Sequence, residues 1–132
     1  MANFEALAGI EAAARFLLEH GMDRLEADES EIFAPLLEGL QSIDGVTVYG
    51  VPGLAGRTPT AAFTVRGHTP SAVCESLAAE RIAAWDGDNY AVEVAKQLGV
   101  STTGGVVRVG LARYVEADDV ARLLDVVERL AR

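Results

Sequence analysis

The sequence predicts one α+β domain with four short, mainly antiparallel strands and with helices packed mostly on one face of the sheet. Its 132 residues suffice for a single core, and half of them are hydrophobic. Helical and strand-like segments follow one another in the order ααββαβαβα. Short strands interleaved with longer helices are typical of a sheet covered by helices.

Two helices are predicted at the start of the chain. Asn3 is placed to cap a helix that runs to about Glu19 and ends at His20-Gly21. Its apolar side chains form more than one stripe, so we expect cover on two sides and an interface there: Phe4, Leu7, Ile10, Phe16, Leu17 and Leu18. A second helix is predicted over residues 28–42, with Pro35 either kinking it or marking its first turn.

The rest of the chain alternates between strands and helices. Asp44-Gly45 predicts a turn, and Thr69-Pro70 predicts the start of a helix. The β-branched runs and helical periodicities predict strands at 46–49, 60–65, 81–85 and 106–111 and helices at 70–79, 88–98 and 116–131. A flexible loop is predicted at 101–105.

Composition excludes several classes of function. The net charge is −9 and the arginines are scattered singly, which argues against nucleic acid as a partner. No apolar run is long enough to span a membrane and no signal-peptide pattern opens the chain, so a cytoplasmic protein is expected. With Cys74 as the single cysteine and only two histidines, neither an internal disulfide nor a metal site is expected.

Four segments carry a resemblance to a known family. They read NFEALAG at residues 3–9, RTPT at 57–60, AWDG at 84–87 and GVVRVGL at 105–111, the last followed by Tyr114. In this order and spacing they resemble the small C-terminal domain of fold-type I pyridoxal-phosphate enzymes. The branch they resemble is the class V aminotransferases, specifically the cysteine desulfurase-like group.

The resemblance implies two domains with different roles in one active site. In this family a lysine of a large domain forms the Schiff base with pyridoxal phosphate, and that domain would be the partner of this chain. Residues 1–20 would be a linking helix at the large-domain edge, and residues 21–132 the small domain that closes the active site and binds the amino-acid substrate. The implied parent is a dimeric transferase, and the chain alone is expected to be inactive. The family places a phosphate-binding threonine near Met1-Ala2, so we expect a chain truncated at a domain edge.

Arg108 is the main candidate site residue, because it matches the family arginine that grips the substrate α-carboxylate. A guanidinium offers paired, planar donors to a carboxylate. Alternation along its strand points Arg108 away from the more apolar face, although spacing alone also allows an ordinary surface arginine. The resemblance further implies that Trp85, Asp86 and Gly87 form a wall of the active site. True desulfurases carry their persulfide-forming cysteine there, and this loop has none.

Other reactive side chains are expected to be structural, and no catalytic or cofactor-binding residue is assigned. Lys96 is predicted on a solvent-facing helix side, Cys74 as a small buried thiol and His68 as a surface loop residue. Asp88 is predicted to cap a helix rather than to act with Asp86 as an acid–base pair. Gly104-Gly105 has no following helix and is not a phosphate cradle. Arg113 stands where the family commonly has histidine.

Two alternatives remain beside a domain of a larger enzyme. The chain fits a stand-alone α+β binding or assembly module, because fold-level similarity does not determine function. It also fits one half of a split enzyme whose large domain is encoded separately.

Overall fold

A computed structural model describes residues 3–132, and within them the chain forms five α-helices, four strands and one 3₁₀ turn. Met1 and Ala2, which the resemblance places near the family's phosphate-binding threonine, lie outside the described residues. In chain order the elements are α1 (Phe4–His20), α2 (Met22–Ser42), β1 (Val46–Tyr49), β2 (Thr60–Val65), α3 (Pro70–Ala79), β3 (Trp85–Gly87), α4 (Val92–Gln97), the 3₁₀ turn (Ser101–Thr103), β4 (Val106–Gly110) and α5 (Ala117–Ala131).

The four strands form one antiparallel sheet in the order β1-β2-β4-β3. β2 and β4 are the central strands, and their register aligns Ala62 with Arg108. On the outer side of β4, Trp85 of β3 is the partner of the same Arg108. The predicted fold class is confirmed.

The core lies on one side of this sheet. Along β2, the side chains of Ala61, Phe63 and Val65 are buried, while the alternate positions stay partly exposed. Val107 and Val109 of β4 are buried on the same side. Apolar side chains of α2, α3 and α5 complete the cluster, including Phe33, Leu36, Leu37, Leu40, Val73, Leu77, Val120, Leu123, Val126 and Val127. The helices therefore cover one face, and the other face of the two central strands is left without them.

The helix starts that the sequence indicates are confirmed for α1 and α3. The Asn3 Oδ1 accepts a hydrogen bond from the backbone N–H of Ala6 at 3.0 Å. The Thr69 Oγ1 accepts one from the backbone N–H of Ala72 at 3.3 Å, with Pro70 in the first turn. Each cap satisfies a donor that the first turn of a helix leaves free.

The predicted start of α2 at residue 28 is wrong, because the helix begins at Met22. Gly21, with φ of +79°, is the whole connection between α1 and α2. The part of α2 before residue 28 is anchored to the rest of the fold by the buried side chain of Leu25. Pro35 lies inside the helix and does not mark its first turn.

The strand predicted at residues 81–85 is also misplaced, since β3 spans Trp85–Gly87. Two backbone hydrogen bonds end α3 just before this segment. Arg81 N–H donates to the Ala78 carbonyl at 2.9 Å, and Ile82 N–H donates to the Leu77 carbonyl at 2.9 Å. This pair of bonds is the Schellman motif that commonly ends helices, and it delays strand pairing until Trp85.

The helix predicted at residues 88–98 is shorter than expected, because α4 spans Val92–Gln97. Asn89 and Tyr90 have φ values of +53° and +61°, which no right-handed helix allows. Asp88 does not cap α4. Its Oδ1 instead accepts a hydrogen bond from the Tyr90 N–H at 3.0 Å, which closes a local turn.

The first helix, α1, has no buried residue. Its large apolar side chains remain substantially exposed, with Phe4 at 75% and Leu18 at 78%. Phe16 stacks near His20, with ring centroids 4.0 Å apart, and the Arg113 guanidinium lies 5.3 Å from its ring centre. None of the helices described is long and apolar enough to cross a bilayer.

Gly105 provides a test of how closely the backbone packs beside β4. Its φ is +87°, and a Cβ there would collide with the backbone of Gly87 and Asp88. We expect Gly105→Ala to lower the free energy of unfolding by about 3 kcal/mol or more, because neither backbone can move freely. Gly104→Ala is the matched control. It shares a positive φ, but its nearest neighbour is Pro70 Cδ at 3.5 Å, so about 1–2 kcal/mol of strain is expected. If urea unfolding showed the same loss of unfolding free energy in both variants, the close packing at Gly105 would be contradicted.

Candidate functional site

The face of the sheet that bears no helix carries one continuous row of side chains. The strand register places Tyr49, Ala62, Arg108 and Trp85 side by side across all four strands. Directly opposed residues in antiparallel strands share a face, with Cβ atoms about 4.5–5.5 Å apart. We call this row and its flanking positions on the same side the open face. Arg108 lies near its centre.

Arg108 is exposed and has no partner of its own. Within residues 3–132 its guanidinium makes neither an ion pair nor a side-chain hydrogen bond. Among the strand residues of the described part of the chain, Arg108 and Asp86 are the two charged ones, and Arg108 is the one on the open face. A planar guanidinium with unused donors is suited to bidentate binding of a carboxylate.

Arg108 has the indole ring of Trp85 on one side and mostly small residues on the other. Trp85 is 61% exposed and lies directly opposite Arg108 on β3. The remaining neighbours on the open face are the small residues Ala62, Gly110 and Gly87 and the aliphatic Val106, and none of them is charged. A carboxylate bound by the guanidinium would therefore lie against an indole, with room beside it.

Asp86 does not join Arg108 on the open face. Its strand partner is Val107, which is buried against the helices, so the Asp86 side chain points to the helix side. There it lies close enough to Cys74 of α3 to affect its ionisation. The structure thus brings together Arg108, Trp85 and Gly87 from the predicted site, and it separates Asp86 from them.

Cys74 is half-buried beside the core, as its sequence environment predicts. Burial, and secondly the negative charge of Asp86, raise the pKa of Cys74 from 9.0 to about 11. The side chain is therefore a neutral thiol at neutral pH, and a thiol is a poor nucleophile compared with a thiolate.

Arg57 ties together the loop that leads to the open face. Its guanidinium donates hydrogen bonds to the carbonyls of Tyr49 at 3.3 Å, of Thr60 at 3.4 Å and of Val51. It also lies 5.7 Å from the ring centre of Phe33. These contacts join the end of β1 to the start of β2. The sequence indicates Arg57 only as part of the RTPT segment and gives no signal for this role.

Two further open-face residues were not assigned from the sequence. Tyr49 and Thr64 share a hydrogen bond between their hydroxyls at 3.2 Å. Thr60, Ala62 and Thr64 alternate with buried residues along β2, and that alternation is a signal that could have placed them on this face. The row itself depends on a register between distant strands, for which the sequence has no local signal.

The residues of this chain do not fit pyridoxal phosphate bound through a Schiff base. Lys96, the single lysine, lies exposed on α4, and its Nζ donates to the Glu93 carboxylate at 2.8 Å. Gly104 and Gly105 lead into β4 rather than a helix. His68 is an exposed loop residue. In the part of the chain that is described, no three His, Cys, Asp or Glu side chains cluster as metal ligands.

A family model described as aminotransferase class-V matches residues 2–123. The chain belongs to the class V aminotransferase family. A probable cysteine desulfurase 2 of Mycobacterium leprae is 32% identical over 118 residues, which are 89% of this chain and 28% of that protein. A probable cysteine desulfurase of Pseudomonas putida is 30% identical over 121 residues, again 28% of its length. The chain therefore spans little more than a quarter of these curated relatives.

Solved structures agree with this assignment. The apo cysteine desulfurase of Thermococcus onnurineus NA1 superposes with a TM-score of 0.80 at 29% identity, covering 89% of this chain and 28% of that one. A cysteine desulfurase of Escherichia coli superposes with a TM-score of 0.83 over 98% of this chain and 31% of its own. At 23% identity the second likeness shows the fold alone.

The raised pKa of Cys74 leads to a test of its environment. At pH 8 its thiolate fraction should be about 100-fold smaller than that of a thiol with the ordinary pKa. We expect alkylation by iodoacetamide to be slower by about this factor in the folded chain than in the same chain in urea. Asp86→Asn should accelerate it. Because the folded pKa exceeds the unfolded one, the stability contributed by the neutral thiol is complete below pH 9 and is lost as the pH rises towards 11. Equal alkylation rates in folded and unfolded chains would contradict the assignment.

Proposed function

We propose that this chain is the small C-terminal domain of a pyridoxal-phosphate-dependent class V enzyme. In this proposal it closes the active site, and Arg108 binds the α-carboxylate of an amino-acid substrate. The observation that carries the proposal is an exposed guanidinium without a partner, at the centre of the open face of a chain that belongs to this family. Trp85 and Gly87 are assigned to the active-site wall, whereas Asp86 points to the helix side and is not part of it.

Two exposed surfaces of this chain support the proposal that it packs against a large partner domain. The open face presents Arg108 and Trp85, and α1 presents a row of exposed apolar side chains. Exposed apolar patches of this kind usually mark interfaces. We therefore assign residues 1–20 as the linking helix at the large-domain edge and residues 21–132 as the small domain. The dimeric, cytoplasmic character of the parent enzyme is part of the same proposal.

The cofactor is assigned to the partner domain. Pyridoxal phosphate, when bound, acts as an electron sink for reactions of amino acids. Lys96 is engaged with Glu93 at the surface, so the Schiff-base lysine must come from outside this chain. We infer that the chain alone is inactive and that its contribution is to bind and orient the substrate.

The reaction we favour is a transamination or lyase reaction rather than cysteine desulfuration. The loop after β3 contains no cysteine. Cys74 lies on α3, on the helix side of the sheet, and burial keeps it a neutral thiol. The usual persulfide route needs a reactive thiolate near the substrate. A split enzyme, in which the large domain is a separate polypeptide, would use the same surfaces.

The role of Arg108 can be measured in an enzyme assembled from this chain and a cofactor-binding domain. Arg108→Ala should raise the substrate KM by a factor that corresponds to a loss of about 2–5 kcal/mol in binding. The cofactor absorbance should remain unchanged, because Arg108 contacts only the substrate. Arg108→Lys should recover part of the loss, since it keeps the charge without the planar fork.

Thermal unfolding of the isolated chain supplies the control. Arg108 lies on the open face and adds little to the core, so the midpoint temperature of Arg108→Ala should be close to that of the parent chain. An unchanged KM, or unfolding of the isolated variant, would show that Arg108 has a structural role instead.

A further inference from the structure

A cleft lies away from the row of side chains on the open face, where β3 and β4 separate. These strands pair only between Trp85–Gly87 and residues 106–108. Residues 81–84 therefore diverge from the last part of β4, and the gap between them opens a cleft of about 270 Å³. Its volume approaches that of pockets that bind small organic molecules. Arg108 does not line it.

The walls of the cleft are apolar and its charged groups are mainly basic. Leu36, Val109, Val120 and Leu123 are buried core residues that line it. Two arginines, Arg81 and Arg122, are part of the same lining and are exposed to solvent. An apolar interior with cationic groups at its opening is complementary to an amphipathic anion.

Arginine is an unusual residue for the backbone conformation at position 81. Arg81 is the residue after the cap of α3 and has φ of +61° in the Schellman motif. Glycine is the usual residue at this position, because any side chain is strained there. Within residues 3–132, the Arg81 guanidinium makes no ion pair and no hydrogen bond with another side chain. Nothing in the described fold therefore accounts for arginine rather than glycine at this strained position.

The charges that face the cleft leave it positive. The one acidic residue in its lining, Asp119, is already engaged. Its Oδ2 accepts a hydrogen bond from the Glu116 N–H at 3.2 Å, and its Oδ1 lies 3.5 Å from Arg122. Two arginines and one aspartate give the lining a formal charge of +1, in a chain whose net charge is −9. An anion approaching this acidic protein would be attracted selectively to such a site.

We propose that this cleft is a binding site for a small monocarboxylate with an apolar tail. The tail lies against Leu36, Val120 and Leu123, and the carboxylate is bound by Arg81 at the opening, with Arg122 beside it. The site is independent of the function proposed for Arg108. In this proposal, Arg81 supplies the charge that recognises the ligand, which accounts for an arginine at a position favourable to glycine.

Octanoate is a suitable probe, and its binding to the ¹⁵N-labelled chain can be followed by amide chemical shifts. We expect saturable shifts confined to residues that line the cleft. 1-Octanol, which has no charge, and octylamine, which is a cation at pH 7, should bind at least about tenfold more weakly. The factor of ten corresponds to the loss of one charge-assisted hydrogen bond.

The decisive variant is Arg81→Gly, because ligand binding and stability should change in opposite directions. Octanoate affinity should fall about tenfold or more, while relief of the positive φ should raise the thermal midpoint by a few degrees. Arg66→Ala is the control, since Arg66 is an exposed arginine outside the cleft, paired with Asp44. It should leave octanoate binding unchanged.

Three outcomes would overturn the proposal. The first is no saturable octanoate binding by the parent chain, or equal binding of octanol and octylamine. The second is unchanged octanoate affinity in Arg81→Gly. The third is a lower thermal midpoint in Arg81→Gly, which would show that Arg81 stabilises the fold and has no need of a ligand.

Discussion

The burial of alternate side chains along the two central strands constrains everything else in this molecule. Phe63 on β2 and Val107 on β4 are fully buried against the helices, and each such side chain contributes about 1.5–3 kcal/mol through burial. Because side chains in a strand alternate, Ala62 and Arg108 must then point the other way. A slip of one residue would bury an unpaired guanidinium, which is prohibitive. The hydrophobic core therefore fixes the position of Arg108 on the open face.

Local signals were sufficient for much of the fold. Asn3 and Thr69 were identified as caps because their short polar side chains suit free backbone donors, and both make those bonds. Alternation along β4 placed Val107 and Val109 on its more apolar side, and both are buried. The start of α2 was missed because its first turns carry few large apolar residues, and the burial of one of them, Leu25, depends on tertiary contacts.

The region between α3 and β4 was predicted least well, and its backbone explains why. Three residues there, Arg81, Asn89 and Tyr90, adopt positive φ without being glycine. The apolar run at 82–85 resembles a strand, yet the hydrogen bonds that end α3 take up its first part. For the candidate site, the sequence suggested Arg108 and Trp85, and the structure places them opposite each other on neighbouring strands. The sequence did not suggest their alignment with Ala62 and Tyr49, since that alignment depends on long-range strand register.

The same short pairing of β3 with β4 produces both candidate sites. Where the strands pair, Trp85 and Arg108 lie side by side on the open face. Where they part, the cleft opens towards the helices, with Arg81 at its edge. We propose that the site on the open face is completed by a partner domain. The cleft is lined by residues of this chain.

Side-chain oxidation footprinting tests the central claim most directly, by comparing the chain alone with the chain combined with a class V cofactor-binding domain. Trp85 and Phe4 are 61% and 75% exposed in the chain and should be oxidised readily when it is alone. If the open face and α1 contact the large domain, both residues become protected in the complex. Unchanged oxidation of Trp85 and Phe4 in a complex that forms would contradict the assignment of these surfaces.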